Sequence, residues 1–111
     1  MTSERIIGSL SLIPKGEGRN FEIDGQVVAV FRTHGDEVFA TQPECPHLQG
    51  PLADGLVGES NLICPLHDRL FDLRTGAGPD CSIQTYPARL TPEGMIVVAL
   101  EAAREPALAG E

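Results

Sequence analysis

A chain of 111 residues with 41% hydrophobic and 22% charged content has the size and composition of one globular domain, expected to span 1–111. Sixteen acidic against eight basic residues give a formal charge of −8, which argues against nucleic acid as a partner and for an electropositive protein surface. No apolar run is long enough to cross a bilayer, the start Met1-Thr2-Ser3-Glu4-Arg5 lacks a signal-peptide pattern, and an odd number of cysteines is poor material for a disulfide framework; a cytoplasmic protein away from membranes is expected.

The apolar pattern favours strands throughout. Met1 to Glu4 reads as polar and loose, and Ile6 to Ile13 as a strand stopped by Pro14. Gln26 to Thr33, rich in Val27, Val28, Val30 and Phe31, and Val38 to Thr41 read as a hairpin through His34-Gly35-Asp36, which makes His34 a surface residue. Asn61 to Ile63 runs into Cys64, and Leu70 to Leu73 stops at the turn-prone Thr75-Gly76. Ile83 to Leu90 and Met95 to Leu100 flank Thr91-Pro92-Glu93-Gly94 as a second hairpin. From Ala102 the pattern fades into a loose tail, about 103–111, where Pro106 limits any helix around Ala102-Ala103-Arg104. Twelve glycines and nine prolines keep the strands short, so an all-β sandwich or barrel of antiparallel strands is expected.

Two short pairs carry the chemistry: Cys45-Pro46-His47, and Cys64-Pro65-Leu66-His67, with the sixteen residues 48–63 between them. Each supplies one sulfur and one nitrogen. Two thiolates and two imidazoles form the donor set of a Rieske [2Fe-2S] centre, in which two histidines replace two cysteines on one iron. Each arm can place its Cys on one iron and its His on the other while the two arms clasp the cluster from opposite sides. Pro46 and Pro65 stiffen the turns by fixing φ, which lowers the entropy lost on ordering them. Structural zinc uses the same four donors. Zinc sites more often pair Cys with Cys and His with His in sequence, whereas each arm here mixes them, which favours the cluster. Cys81 has no close histidine and reads as a packed thiol. No serine or cysteine sits in a nucleophile motif.

With C-x-H, sixteen residues and C-x-x-H in place, followed by Gly76-Ala77-Gly78-Pro79, the chain resembles a Rieske ferredoxin along nearly its whole length. The resemblance implies a Rieske-like fold, in which a basal sandwich or barrel of antiparallel strands carries a smaller cluster-binding subdomain at about 42–80. It implies that Cys45, His47, Cys64 and His67 hold the cluster, and that Gly78 and Pro79 form a third loop over it. It also implies that the two histidines sit at an exposed tip, with Leu48, Leu66 and Pro79 as an apolar rim. Membrane-bound Rieske proteins of cytochrome bc complexes carry one more cysteine in each loop, joined as a disulfide; Gly50 and Leu66 stand there, so no such bridge forms. The potential is accordingly expected in the lower part of the Rieske range of about −150 to +300 mV. Asp68, where relatives often have a small or amide residue, adds a negative charge expected to lower the potential further, so that Asp68→Asn raises it.

A protein-ligated cluster leaves no open position for substrate, so the implied role is one-electron transfer, without catalysis by the polypeptide alone. The stretches from Cys45 to Leu52, Cys64 to Gly76, Gly78 to Cys81 and Tyr86-Pro87-Ala88-Arg89-Leu90 are similar to the small subunit of assimilatory NAD(P)H-dependent nitrite reductase. The partner would then be the large subunit, with flavin, siroheme and its own cluster. The alternative is the ferredoxin component of an aromatic-ring dioxygenase or related oxygenase, placed between a flavin reductase and the terminal oxygenase. A zinc-bound interaction module is the reading from outside redox chemistry. Charge predicts docking onto a basic patch of the partner, weakening as salt rises.

Overall fold

The computed structural model describes residues 2–44, 51–64, 70–78 and 82–101. They form ten strands: β1 (Thr2–Ser9), β2 (Glu17–Ile23), β3 (Gln26–Arg32), β4 (Val38–Thr41), β5 (Leu56–Val57), β6 (Asn61–Ile63), β7 (Leu70–Asp72), β8 (Thr85–Tyr86), β9 (Ala88–Leu90) and β10 (Met95–Glu101). Every pairing is antiparallel, in sheets ordered β1-β10-β9, β2-β3-β4-β8 and β5-β6-β7. Among the described residues the only helical pieces are single 3-10 turns at Leu10–Leu12 and Leu52–Asp54, and no helix is long and apolar enough to cross a membrane. The fold is all-β, as the apolar pattern predicts.

β3 organises the core because it is buried on both faces. Alternation sends Val28 and Val30 into a cluster with Ile13, Ile23, Ile96, Val98 and Leu100, and sends Ala29 and Phe31 into a second cluster with Leu52, Val57, Leu62, Cys64, Phe71, Leu73 and Ile83. The first cluster lies between the two larger sheets. The second joins the β2-β3-β4-β8 sheet to β5-β6-β7. Arg32, at the end of β3, closes this arrangement from the side: it donates to Asp36 Oδ1 (3.0 Å) and to the carbonyls of Leu10 (3.3 Å) and Ile13 (2.8 Å).

Four departures from the sequence expectations have local causes. The start of the chain is not loose from Thr2 onward, because β10 offers a ladder that pairs Thr2 with Glu101. β1 then stops at Ser9 instead of Ile13: its register slips between Ile6 and Gly8, and the Ser9 hydroxyl accepts from the Ser11 amide, capping the 3-10 turn. The span from Ile83 to Leu90 divides at Pro87, which has no amide to donate, so β8 joins β4 and β9 joins β10. β2 lies in a segment whose Glu17, Arg19, Asn20 and Glu22 conceal a strand, yet Asp24-Gly25, both at positive φ (53° and 81°), forms the two-residue turn that joins it to β3. The tail from Ala102 lies outside the described residues.

Candidate metal centre

Three segments of the chain are closed at their bases by antiparallel pairs. Glu44 bridges Pro51 around 45–50, Ile63 pairs with Leu70 around 64–69, and Ala77 bridges Ser82 around 78–81. The first carries Cys45 and His47, the second Cys64 and His67, and the third Gly78 and Pro79. Cross-links tie the bases together. The Gln42 amide donates to the Gln84 carbonyl (2.9 Å), and the Gln84 amide donates back to the Gln42 side chain (2.7 Å), joining the first base to the third. The Gln42 side chain also donates to the Glu44 carbonyl (2.6 Å), and the Leu52 amide to Pro43 (3.0 Å). The Asp72 amide donates to Ala77 (2.8 Å) and that of Ile83 to Gly76 (2.8 Å), joining the second base to the third. Gly76 sits at φ +85° with the Ile83 carbonyl where a side chain would begin, so only glycine fits this junction.

Of the four expected ligands, Cys64 is within the described residues; Cys45, His47 and His67 lie outside them, as do Leu48, Gly50, Leu66, Asp68, Pro79 and Cys81. Cys64 follows directly on β6. It is a free thiol, fully buried with Leu52, Leu62, Phe71 and Ile83, and has no hydrogen-bond partner among the described residues. Such a thiol is stable either as a neutral small hydrophobe or as a thiolate whose charge is neutralised by a metal, because an isolated buried thiolate is costly. Its position at the mouth of the second segment, whose sequence also carries His67, suits the metal-bound form. His34 is exposed at the β3–β4 turn, as expected, and lies against Gly16. Gln42 and Gln84 are positioning residues that sequence reasoning missed, since an isolated backbone clamp leaves no periodic signal.

Residues 4–89 match the family described as the Rieske [2Fe-2S] domain. The anthranilate 1,2-dioxygenase ferredoxin subunit of Burkholderia cepacia is 46% identical over 65 residues, which is 59% of this chain and 58% of that protein. The biphenyl dioxygenase ferredoxin subunit of a Pseudomonas species is 34% identical over 94 residues, covering 80% of this chain and 85% of that one. Among solved structures, a protein described as the NADH-dependent nitrite reductase small subunit of Mycobacterium tuberculosis superposes with a TM-score of 0.83 at 28% identity, over 93% of this chain and 99% of that one. The ferredoxin of carbazole 1,9a-dioxygenase from Nocardioides aromaticivorans gives 0.74 at 31% identity, over 86% and 96%. Of the two cofactors that the donor set allows, the family implies the cluster and not zinc. The chain belongs to the Rieske [2Fe-2S] domain family, and it is an electron carrier with a Rieske-type [2Fe-2S] cluster.

Proposed function

We propose that Cys45, His47, Cys64 and His67 ligate the cluster within a subdomain at about 42–80, and that the chain relays single electrons to a larger redox enzyme without catalysing a reaction itself. When bound, the cluster supplies one reversible electron, held on an iron pair whose ligands leave no site for substrate. The chain's own contribution is positional. The Ile63–Leu70 pair holds the two ends of the second ligand segment together, and the Glu44–Pro51 bridge does the same for the first. The apolar cluster around Cys64 excludes water from its sulfur, and dry surroundings with fixed dipoles are among the levers that set a cluster's potential.

The enzyme served is, on this reading, an NAD(P)H-dependent nitrite reductase, with this chain as its small subunit. The observation that carries it is the superposition on the Mycobacterium tuberculosis protein along nearly the full length of both chains. A second reading, the ferredoxin of an aromatic-ring dioxygenase, is favoured by the sequence identity to ferredoxins of such systems. Reconstitution separates them: the reduced holo-protein is mixed with a nitrite reductase large subunit and, separately, with a terminal dioxygenase, each taken from the organism that encodes this chain. Nitrite-dependent reoxidation supports the first reading. Reoxidation by the oxygenase alone overturns it in favour of the second.

A further inference from the structure

The small sheet β5-β6-β7 is apolar on both faces. Its inward row, Val57–Leu62–Phe71, is paired strand to strand and buried in the second core cluster. One residue along, Leu56 pairs with Ile63 and Ile63 with Leu70, and directly opposed residues share a face, so these three form an outward row about 10 Å across. Leu56 is 69% exposed, Ile63 36% and Leu70 50%. An antiparallel sheet with one face on the core ordinarily turns polar side chains outward. Here the outward face places three contiguous aliphatic side chains in water, two of them on the strands that lead into and out of the Cys64–His67 segment. Nothing in the packing of the sheet requires them, since the inward row already fills the core.

We infer that the Leu56–Ile63–Leu70 row is a docking surface for the redox enzyme that this chain serves, and that the enzyme meets it with an apolar patch framed by basic side chains. The inference rests on the electron-relay reading above and adds where the partner sits. Charge selects the occupant. Among the described residues of 51–64 and 70–78 there are three carboxylates, Asp54, Glu59 and Asp72, against one basic side chain, Arg74, whose charge is paired with Glu37 over the Phe39 ring; all three carboxylates are exposed, and Asp72 occupies the next outward position along β7 from Leu70. A second copy of this chain would bring the same carboxylates and a charge of −8 to the contact, whereas a basic-rimmed surface is attracted to it. An apolar centre with a charged rim is also the usual anatomy of a specific interface, and its position beside the ligand segment shortens the path for the electron.

The test uses the holo-protein with Leu56, Ile63 and Leu70 changed together to Thr, which keeps β propensity, and Leu56→Thr alone as the mildest form. The control is Ile6→Thr, on β1. Electron transfer is measured to both the nitrite reductase large subunit and the terminal dioxygenase, each taken from the organism that encodes this chain. The triple variant is expected to raise the apparent KM for this protein about tenfold or more with whichever enzyme accepts electrons, Leu56→Thr less, with kcat, visible spectrum and potential unchanged. Added salt raises the KM of the wild type as well, whereas Ile6→Thr leaves it alone. An unchanged KM in a triple variant with an intact spectrum overturns the docking surface while leaving the relay reading standing. Failure of the wild type with both enzymes overturns both. A wild-type dimer in sedimentation that the triple variant abolishes assigns the row to self-association and overturns the inference.

Discussion

The larger sheets and the small one are built on different principles. β1, β2, β3 and β10 run for seven or eight residues, and their ladders alone specify register along most of their length. β5, β6 and β7 have two or three residues each, too few for independent stability. What holds them is the inward row against Phe31 and Leu52 and the backbone links to the Gln42–Gln84 clamp, to which the proposed ligand set would add the cluster. The lesson is a division of labour: a base with long ladders, and a small sheet whose order is borrowed from that base on one side and, under the proposed ligand set, from the iron-sulfur centre on the other.

The strongest way to break that borrowing is to remove the centre. Cys64→Ser keeps the size of the side chain but withholds a soft thiolate from iron, so the purified variant is expected to lack iron, sulfide and the red-brown colour altogether. Amide exchange should then speed up in 56–63 and 70–72 while β3 and β10 stay protected, because ligand binding stabilises only the part that forms the site. Retained colour would remove Cys64 from the ligand set. Equal loss of protection in both regions would remove the division of labour.

Core truncation sharpens the same contrast. Phe71 and Ile96 are both fully buried, one in each cluster. Phe71→Ala is expected to cost about 3–5 kcal/mol and Ile96→Ala about 2–5 kcal/mol. Their signatures should differ more than their sizes. In Phe71→Ala the visible absorbance of the cluster should be lost on heating well before the far-ultraviolet signal of the strands. In Ile96→Ala the two transitions should move down together, since the base carries everything built on it. Coincident transitions in both variants would mean that the two regions melt as one unit.

The same division explains what could be read in advance. β3 and β4 were legible to the residue or nearly so, because Val27, Val28, Val30 and Phe31 concentrate β-forming side chains in β3, buried on both faces from Val28 to Phe31, and Val38 and Phe39 do so in β4. β2 was obscured because its outward residues are charged, although Asp24-Gly25 is among the best short hairpin signals and would have revealed it. β5, with two residues, has no periodicity to detect. At the candidate site the cofactor was legible, since Cys-x-His and Cys-x-x-His offer the donor types of a Rieske cluster, and so was the short strand that runs into Cys64. The scaffolding was not. Glu44–Pro51 and Ala77–Ser82 are isolated bridges set by the surrounding fold, and a glutamate opposite a proline advertises no strand.

The smallest effect separates two glycines with nearly the same backbone. Gly76 and Gly94 have φ of +85° and +84°, so replacing either by alanine carries the left-handed penalty of about 1–2 kcal/mol. At Gly94, in the β9–β10 turn, a new methyl group meets nothing within 4 Å, and the cost should end there. At Gly76 it meets the Ile83 carbonyl, which accepts no displacement without disturbing the Ile83–Gly76 hydrogen bond and, through Gln84, the clamp to Gln42. Gly76→Ala should therefore lower the melting temperature further than Gly94→Ala, by the equivalent of about 1–3 kcal/mol for the overpacking. It should also shorten the lifetime of the bound cluster, which Gly94→Ala leaves unchanged. Equal melting temperatures and equal cluster lifetimes would show that the third base contributes nothing to holding the centre, and that the small sheet leans on its inward row alone.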